Sequence, residues 1–152
     1  HQNFITKEVA EGHNVLFGNS YPATHSNIEE TDFSKIDVKI LHEEIKRIKN
    51  DNYPFVPSFS PDINELDDLN TYYFKPEVKM GRTCNDVFTN VMIKTDGTVI
   101  PAHGRCYNST MGNLYNNSLP EIWNSSLYGN FRKEIVKAGG LLPACNRCCS
   151  AF

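Results

Sequence analysis

The 152-residue chain carries 15 Lys and Arg against 18 Asp and Glu, a formal net charge of −3, so no global positive field draws it to nucleic acid or an anionic membrane. Hydrophobic residues make up 39% of it and charged residues 22%, which is enough to bury a core and to stay dissolved. No apolar run approaches the roughly 18 residues that a membrane span needs, and no secretory signal is visible.

The sequence opens His1-Gln2-Asn3 without an initiator Met, so a processed chain or a part of a longer one is expected. Residues 5–30 have weak periodicity and are punctuated by Gly12, Gly18, Asn19 and Pro22. They read as a long loop. Ser34-Lys35-Ile36-Asp37 is a helix start, with Ser34 as N-cap and Asp37 near the positive end of the dipole. Val38, Leu41, Ile45 and Ile48 then recur at helical spacing, and Asn50-Asp51-Asn52 ends the helix. Residues 53–59 form a short apolar run whose prolines limit it to a short or edge strand. Ser60-Pro61-Asp62 opens a second helix with Ile63, Leu66 and Leu69 on its buried face. Helix, strand and helix in this order suit a parallel α/β sheet.

The character of the chain changes near Met80-Gly81. Residues 87–93 and 98–100 flank Asp96-Gly97, a strong β-hairpin signal, because Gly accepts the positive φ of the turn. Ser118-Leu119-Pro120-Glu121 matches a capping box and opens a short helix. Leu127, Phe131 and Ile135 lie four apart and mark one face of a last helix, which Gly139-Gly140 ends.

All five cysteines, Cys84, Cys106, Cys145, Cys148 and Cys149, fall after this change. Cys145-x-x-Cys148 is the sharpest local feature. Two thiolates three residues apart can share a metal or cluster, and zinc sites, redox dithiols and iron–sulfur sites all use the spacing. A redox dithiol usually follows a strand, whereas this pair follows a helix and a Gly-Gly break. Cys84 precedes the hairpin and Cys106 follows it, so the hairpin can bring both sulfurs to one point. A four-thiolate site from Cys84, Cys106, Cys145 and Cys148 suits zinc or an iron–sulfur cluster, and spacing does not separate them. Each of the two distant cysteines taken alone is equally well a buried thiol. Cys149 is the spare, since adjacent cysteines seldom reach one metal, and His103 is an alternative donor. Asn-x-Ser/Thr triplets at Asn108, Asn116 and Asn124 arise readily by chance in an Asn-rich chain.

From Cys84 onward, the ordered series resembles the SPASM/twitch auxiliary-cluster domains of radical S-adenosylmethionine (SAM) enzymes. Its parts are Cys84, the hairpin Ile93-Lys94-Thr95-Asp96-Gly97-Thr98-Val99-Ile100-Pro101, Gly112-Asn113-Leu114, Glu121-Ile122-Trp123-Asn124, Phe131-Arg132 and Cys145-Asn146-Arg147-Cys148-Cys149. The resemblance implies a hairpin and helices around an auxiliary [4Fe–4S] cluster at residues 81–152. It also implies that residues 1–80 are the last βα units of a partial (β/α)6 TIM barrel, an α/β part followed by an α+β part. Two departures stand out. The family usually places a cysteine directly after the hairpin's proline, where this chain has Ala102. The CxxxCxxC motif that binds the radical-generating cluster is absent, so the chain is not expected to cleave SAM alone. SAM and a second [4Fe–4S] cluster then belong to an upstream barrel portion. With five cysteines, the single-cluster twitch form fits.

The expected function is cluster binding within a cytoplasmic enzyme that modifies peptides or proteins or matures a cofactor, the cluster relaying electrons from a donor or anchoring a peptide or small-molecule substrate. The alternative is a structural zinc-binding module, held by four cysteines, for protein interaction. A secreted, disulfide-linked binding protein is a third reading, against which the odd cysteine count speaks.

Overall fold

The computed structural model describes residues 4–26, 32–102, 106 and 108–151. Among them are five α-helices and one antiparallel sheet of order β1-β2-β3.

Helix α1 (Lys7–Phe17) lies where the sequence reads as a loop. The Thr6 side chain accepts the Val9 amide and caps it, and Val9, Ala10 and His13 turn inward. A histidine at a core position and Gly12 in mid-helix interrupt the apolar period, so the pattern is weak in the sequence. Residues 27–30 of the expected loop lie outside the described residues.

Helix α2 (Val38–Asn50) starts later than expected. Its N-cap is Asp37, not Ser34, and the Asp37 carboxylate accepts the amides of Lys39 and Ile40. Ser34 sits in a separate 3-10 turn (Phe33–Lys35) capped by Asp32. A carboxylate at this place satisfies free amides and meets the positive helix end, which a hydroxyl does less well. Val38, Leu41 and Ile45 pack with Leu69 and Tyr72, as their spacing predicts.

Residues 53–59 form no strand. Pro54 and Pro57 remove ladder donors, and Phe55 and Val56 are exposed. Helix α3 (Leu66–Phe74) begins at Leu66, with no cap at Ser60. Side chains of α2 explain the delay: Lys49 Nζ bonds the side chains of Asp62 and Asn64, and His42 Nε2 lies 2.8 Å from the Asn64 carbonyl oxygen. These contacts hold the segment before α3 extended. Ile63 and Leu69 are buried as expected, Ile63 from outside the helix. The described residues up to Met80 contain helices and turns and no strand, so the strand expected near Phe55 is corrected.

In the sheet, β1 (Val91–Ile93) and β2 (Thr98–Pro101) pair in the register Val91↔Pro101, Met92↔Ile100, Ile93↔Val99. Gly97 has φ +77°, and a Cβ there would meet Asn113 Oδ1 at 2.8 Å and the Tyr115 ring at 2.9 Å. Only glycine fits the turn. Residues 86–88 form a 3-10 turn, so the first strand is shorter than the sequence predicts. Strand β3 (Gly112–Asn113) pairs with β2 and is too short to show a period.

The amide and hydroxyl of Ser118 both donate to Glu121 Oε2 at 2.8 Å and open α4 (Leu119–Trp123). Helix α5 (Ser126–Lys137) buries Tyr128, Phe131 and Ile135. Leu127 is 48% exposed, so the inner face begins one residue later than expected. These three side chains form one core with Val87, Val99, Met111, Ile122 and Leu142. Tyr21, from the segment after α1, closes that core with its ring 4.9 Å from Phe131. Each such burial contributes about 2 kcal/mol.

Candidate metal centre

The end of α5 sets the position of the first cysteine. Gly140 has φ +95°, and a Cβ there would meet Thr83 Cγ2 at 2.6 Å, so the chain can pass only as glycine. The Gly140 carbonyl accepts the Cys84 amide at 2.9 Å. Cys84 also bridges to Ala151. The segment before the hairpin thus lies beside the last residues of the chain.

The Cys145 pair folds by its own turns. The Cys145 amide donates to the Leu142 carbonyl at 2.8 Å, and the Cys148 amide to the Cys145 carbonyl at 2.9 Å. The two residues between the cysteines reach the other way. Arg147 is 1% exposed, and its guanidinium donates to the carbonyls of Thr71, Tyr72, Lys75 and Val78. Asn146 Nδ2 donates to the Glu77 carbonyl at 2.9 Å. Arg82 donates to the carbonyls of Cys148 and Ala151. The loop is therefore braced from behind by groups that stay clear of the sulfurs.

In front of it lies a cavity of about 340 Å³, and Cys84, Cys106, Cys145 and Cys148 all line it. All five cysteines are thiols. Cys149 does not line the cavity and interacts electrostatically with Tyr72, on the far side of the loop. His103 lies outside the described residues. Ala102 lines the cavity too and has φ +54°.

The electrostatics report the same gathering. Burial first, then the neighbouring Cys106, Cys148 and Cys84, pushes the Cys145 thiol far above its ordinary range. Part of the Cys145 surface is reachable, but that surface opens on a cavity with protein around it. Burial also raises the Cys84 thiol, against the pull of the Val87 and Asp86 amides. Burial disfavours the charged thiolate at both positions, so a metal bound there would have to displace their protons.

The sequence reading missed His13. It is 2% exposed and lines the cavity. Its Nδ1 accepts the Ala144 amide at 3.3 Å, and its Nε2 lies 2.6 Å from the Tyr21 carbonyl oxygen. Only the neutral ring with its proton on Nε2 satisfies both contacts. Burial lowers the His13 pKa, with the Tyr21 carbonyl opposing.

Four thiolates suit zinc or an iron–sulfur cluster. Among the described residues, no three His, Cys, Asp or Glu converge closely enough to hold one ion. Zinc needs four thiolates at about 2.3 Å from one point. An iron–sulfur cluster takes its thiolates around a larger body.

Residues 84–149 match the SPASM family, described as an iron–sulfur cluster-binding domain. No curated protein and no solved structure is significantly similar to the chain. The match begins at Cys84 and ends at Cys149, and the four cysteines that line the cavity all lie inside that span.

Proposed function

We propose that the chain is the auxiliary-cluster region of a radical SAM enzyme and holds one [4Fe–4S] cluster through Cys84, Cys106, Cys145 and Cys148. The observation that carries this reading is the meeting of four thiols at one cavity within the family match. In this reading SAM and the radical-generating cluster belong to a barrel upstream of these 152 residues, which contain no CxxxCxxC motif. Residues 1–80 are then the C-terminal part of that barrel, carried by helices and turns without a strand among the described residues. When bound, the cluster supplies one-electron exchange or an iron that ligates substrate. The chain's own part is to hold four sulfurs in place, to donate backbone amides towards Cys84, and to limit water at the cavity.

The substrate class is a peptide or protein, or a precursor in cofactor maturation, and an electron donor is the further partner. Five thiols suit a reducing compartment such as the cytoplasm. No helix among the described residues is long and apolar enough to cross a membrane. Paramagnetic resonance tests the reading. After iron and sulfide loading and chemical reduction, about one unpaired spin per chain is expected. A silent chain that instead retains zinc tightly speaks for the structural zinc module.

A further inference from the structure

Every residue of 21–26 lines the cysteine cavity, although the segment lies far outside the family match. Hydrogen bonds fasten it at both ends. Asn14 Nδ2 donates to the Ala23 carbonyl and Asn14 Oδ1 accepts the Ala23 amide, each at 2.8 Å. At the other end the Ile5 amide donates to Ser26 Oγ and the Ser26 amide to the Ile5 carbonyl, each at 2.9 Å. His13 ties the start of the strap, through the Tyr21 carbonyl, to the Ala144 amide beside Cys145. Across the cavity, Asn108 Nδ2 lies 3.5 Å from Thr24 Oγ1, which joins the strap to the segment after Cys106.

We infer that α1 and the strap 21–26 are a second half of the cluster site: His13 positions the loop carrying Cys145, and Asn14 clamps the strap as the wall that keeps solvent and oxygen from the cluster. Asn14 is the informative handle. It is exposed, its side chain bonds backbone of the strap alone among the described residues, and it sits inside a helix, where alanine is favourable. Losing it frees the middle of the strap without removing any side chain from the core. The inference rests on the cluster reading for its role, but the wall itself can be tested without metal.

The test compares the wild-type chain with Asn14→Ala in two states. In the iron-loaded state, iron content should be equal in the two chains. Bleaching in air-saturated buffer and removal of iron by a water-soluble chelator should be faster in Asn14→Ala by on the order of tenfold, since two hydrogen bonds that resist local opening are gone. In the metal-free state, iodoacetamide should modify Cys106 and Cys145 faster by a similar factor, while Cys149, outside the cavity, keeps its wild-type rate. Unchanged rates at Cys106 and Cys145 overturn the wall, and so does an equal acceleration at Cys149, which reports general loosening. If neither chain takes up iron, the cluster reading fails, and the alkylation pattern still decides whether the strap covers the thiols.

Discussion

Arg147 donates its Nε–H to the Tyr72 carbonyl at 2.7 Å and sets its guanidinium 5.0 Å from the centroid of the Tyr72 ring. One of the two residues between Cys145 and Cys148 is thus anchored on the last turn of α3, where the Tyr72 carbonyl lies beyond the reach of the helix's own amides. A cation is favoured there by the helix dipole, and the planar fork serves several carbonyls at once. The cysteine loop is held by a helix that lies outside the SPASM match.

Removing this anchor should be costly. Arg147→Ala leaves the carbonyl of buried Tyr72 without its donor, and a loss of about 3 kcal/mol in the stability of the metal-free chain is expected. Arg147→Lys should recover only part, because an ammonium lacks the fork. Urea unfolding measures both. A loss below about 1 kcal/mol for the alanine variant would mean that the anchor is ornamental.

The cysteines divide by the cavity they line. Alanine at Cys145 or Cys148 should abolish cluster binding, and alanine at Cys84 or Cys106 should weaken it severely, whereas Cys149→Ala should load as the wild type does. Iron per chain after loading, with folding checked by circular dichroism, gives the answer. Full iron in the Cys145 or Cys148 variant contradicts the ligand set.

Ala102 directly follows the hairpin's Pro101, and it lines the same cavity as Cys106. The double variant Cys106→Ala/Ala102→Cys should therefore regain much of the iron that Cys106→Ala loses. No recovery would show that the position after the hairpin's proline does not face the metal in this chain.

His13 gives the fold a defined acid sensitivity. Its folded pKa lies below the ordinary histidine value because burial disfavours the charged ring. Between those two values the unfolded chain binds a proton that the folded chain does not. The stabilisation is complete above the ordinary value and is lost as pH falls through that window. The melting temperature of the metal-free chain should decline as pH falls below about 6.5, and less steeply in His13→Gln. Parallel curves for the two chains would remove His13 as the cause.

Local chemistry was legible where one residue type has one use. Asp96-Gly97 marked the hairpin, Ser118 and Glu121 marked α4, and the cysteine pattern marked four residues that line one cavity. Partnerships across distant residues were not. Ser60-Pro61 has the form of a helix start, but Lys49 and His42 hold the following residues extended. The run 53–59 has strand composition and no strand beside it. Helix α1 was hidden because its inner face includes His13, whose burial depends on Tyr21 and Ala144. Arg147 reads as a solvent-facing loop residue, and only the carbonyls of α3 explain its burial.

Iron and sulfide analysis of the anaerobically loaded chain, with its absorption spectrum, bears most directly on the proposal that four thiols hold one cluster. About four irons and four sulfides per chain, with a broad visible band that bleaches in air, are expected. A colourless chain holding about one zinc and no sulfide would contradict the cluster and leave a structural four-thiolate site in its place.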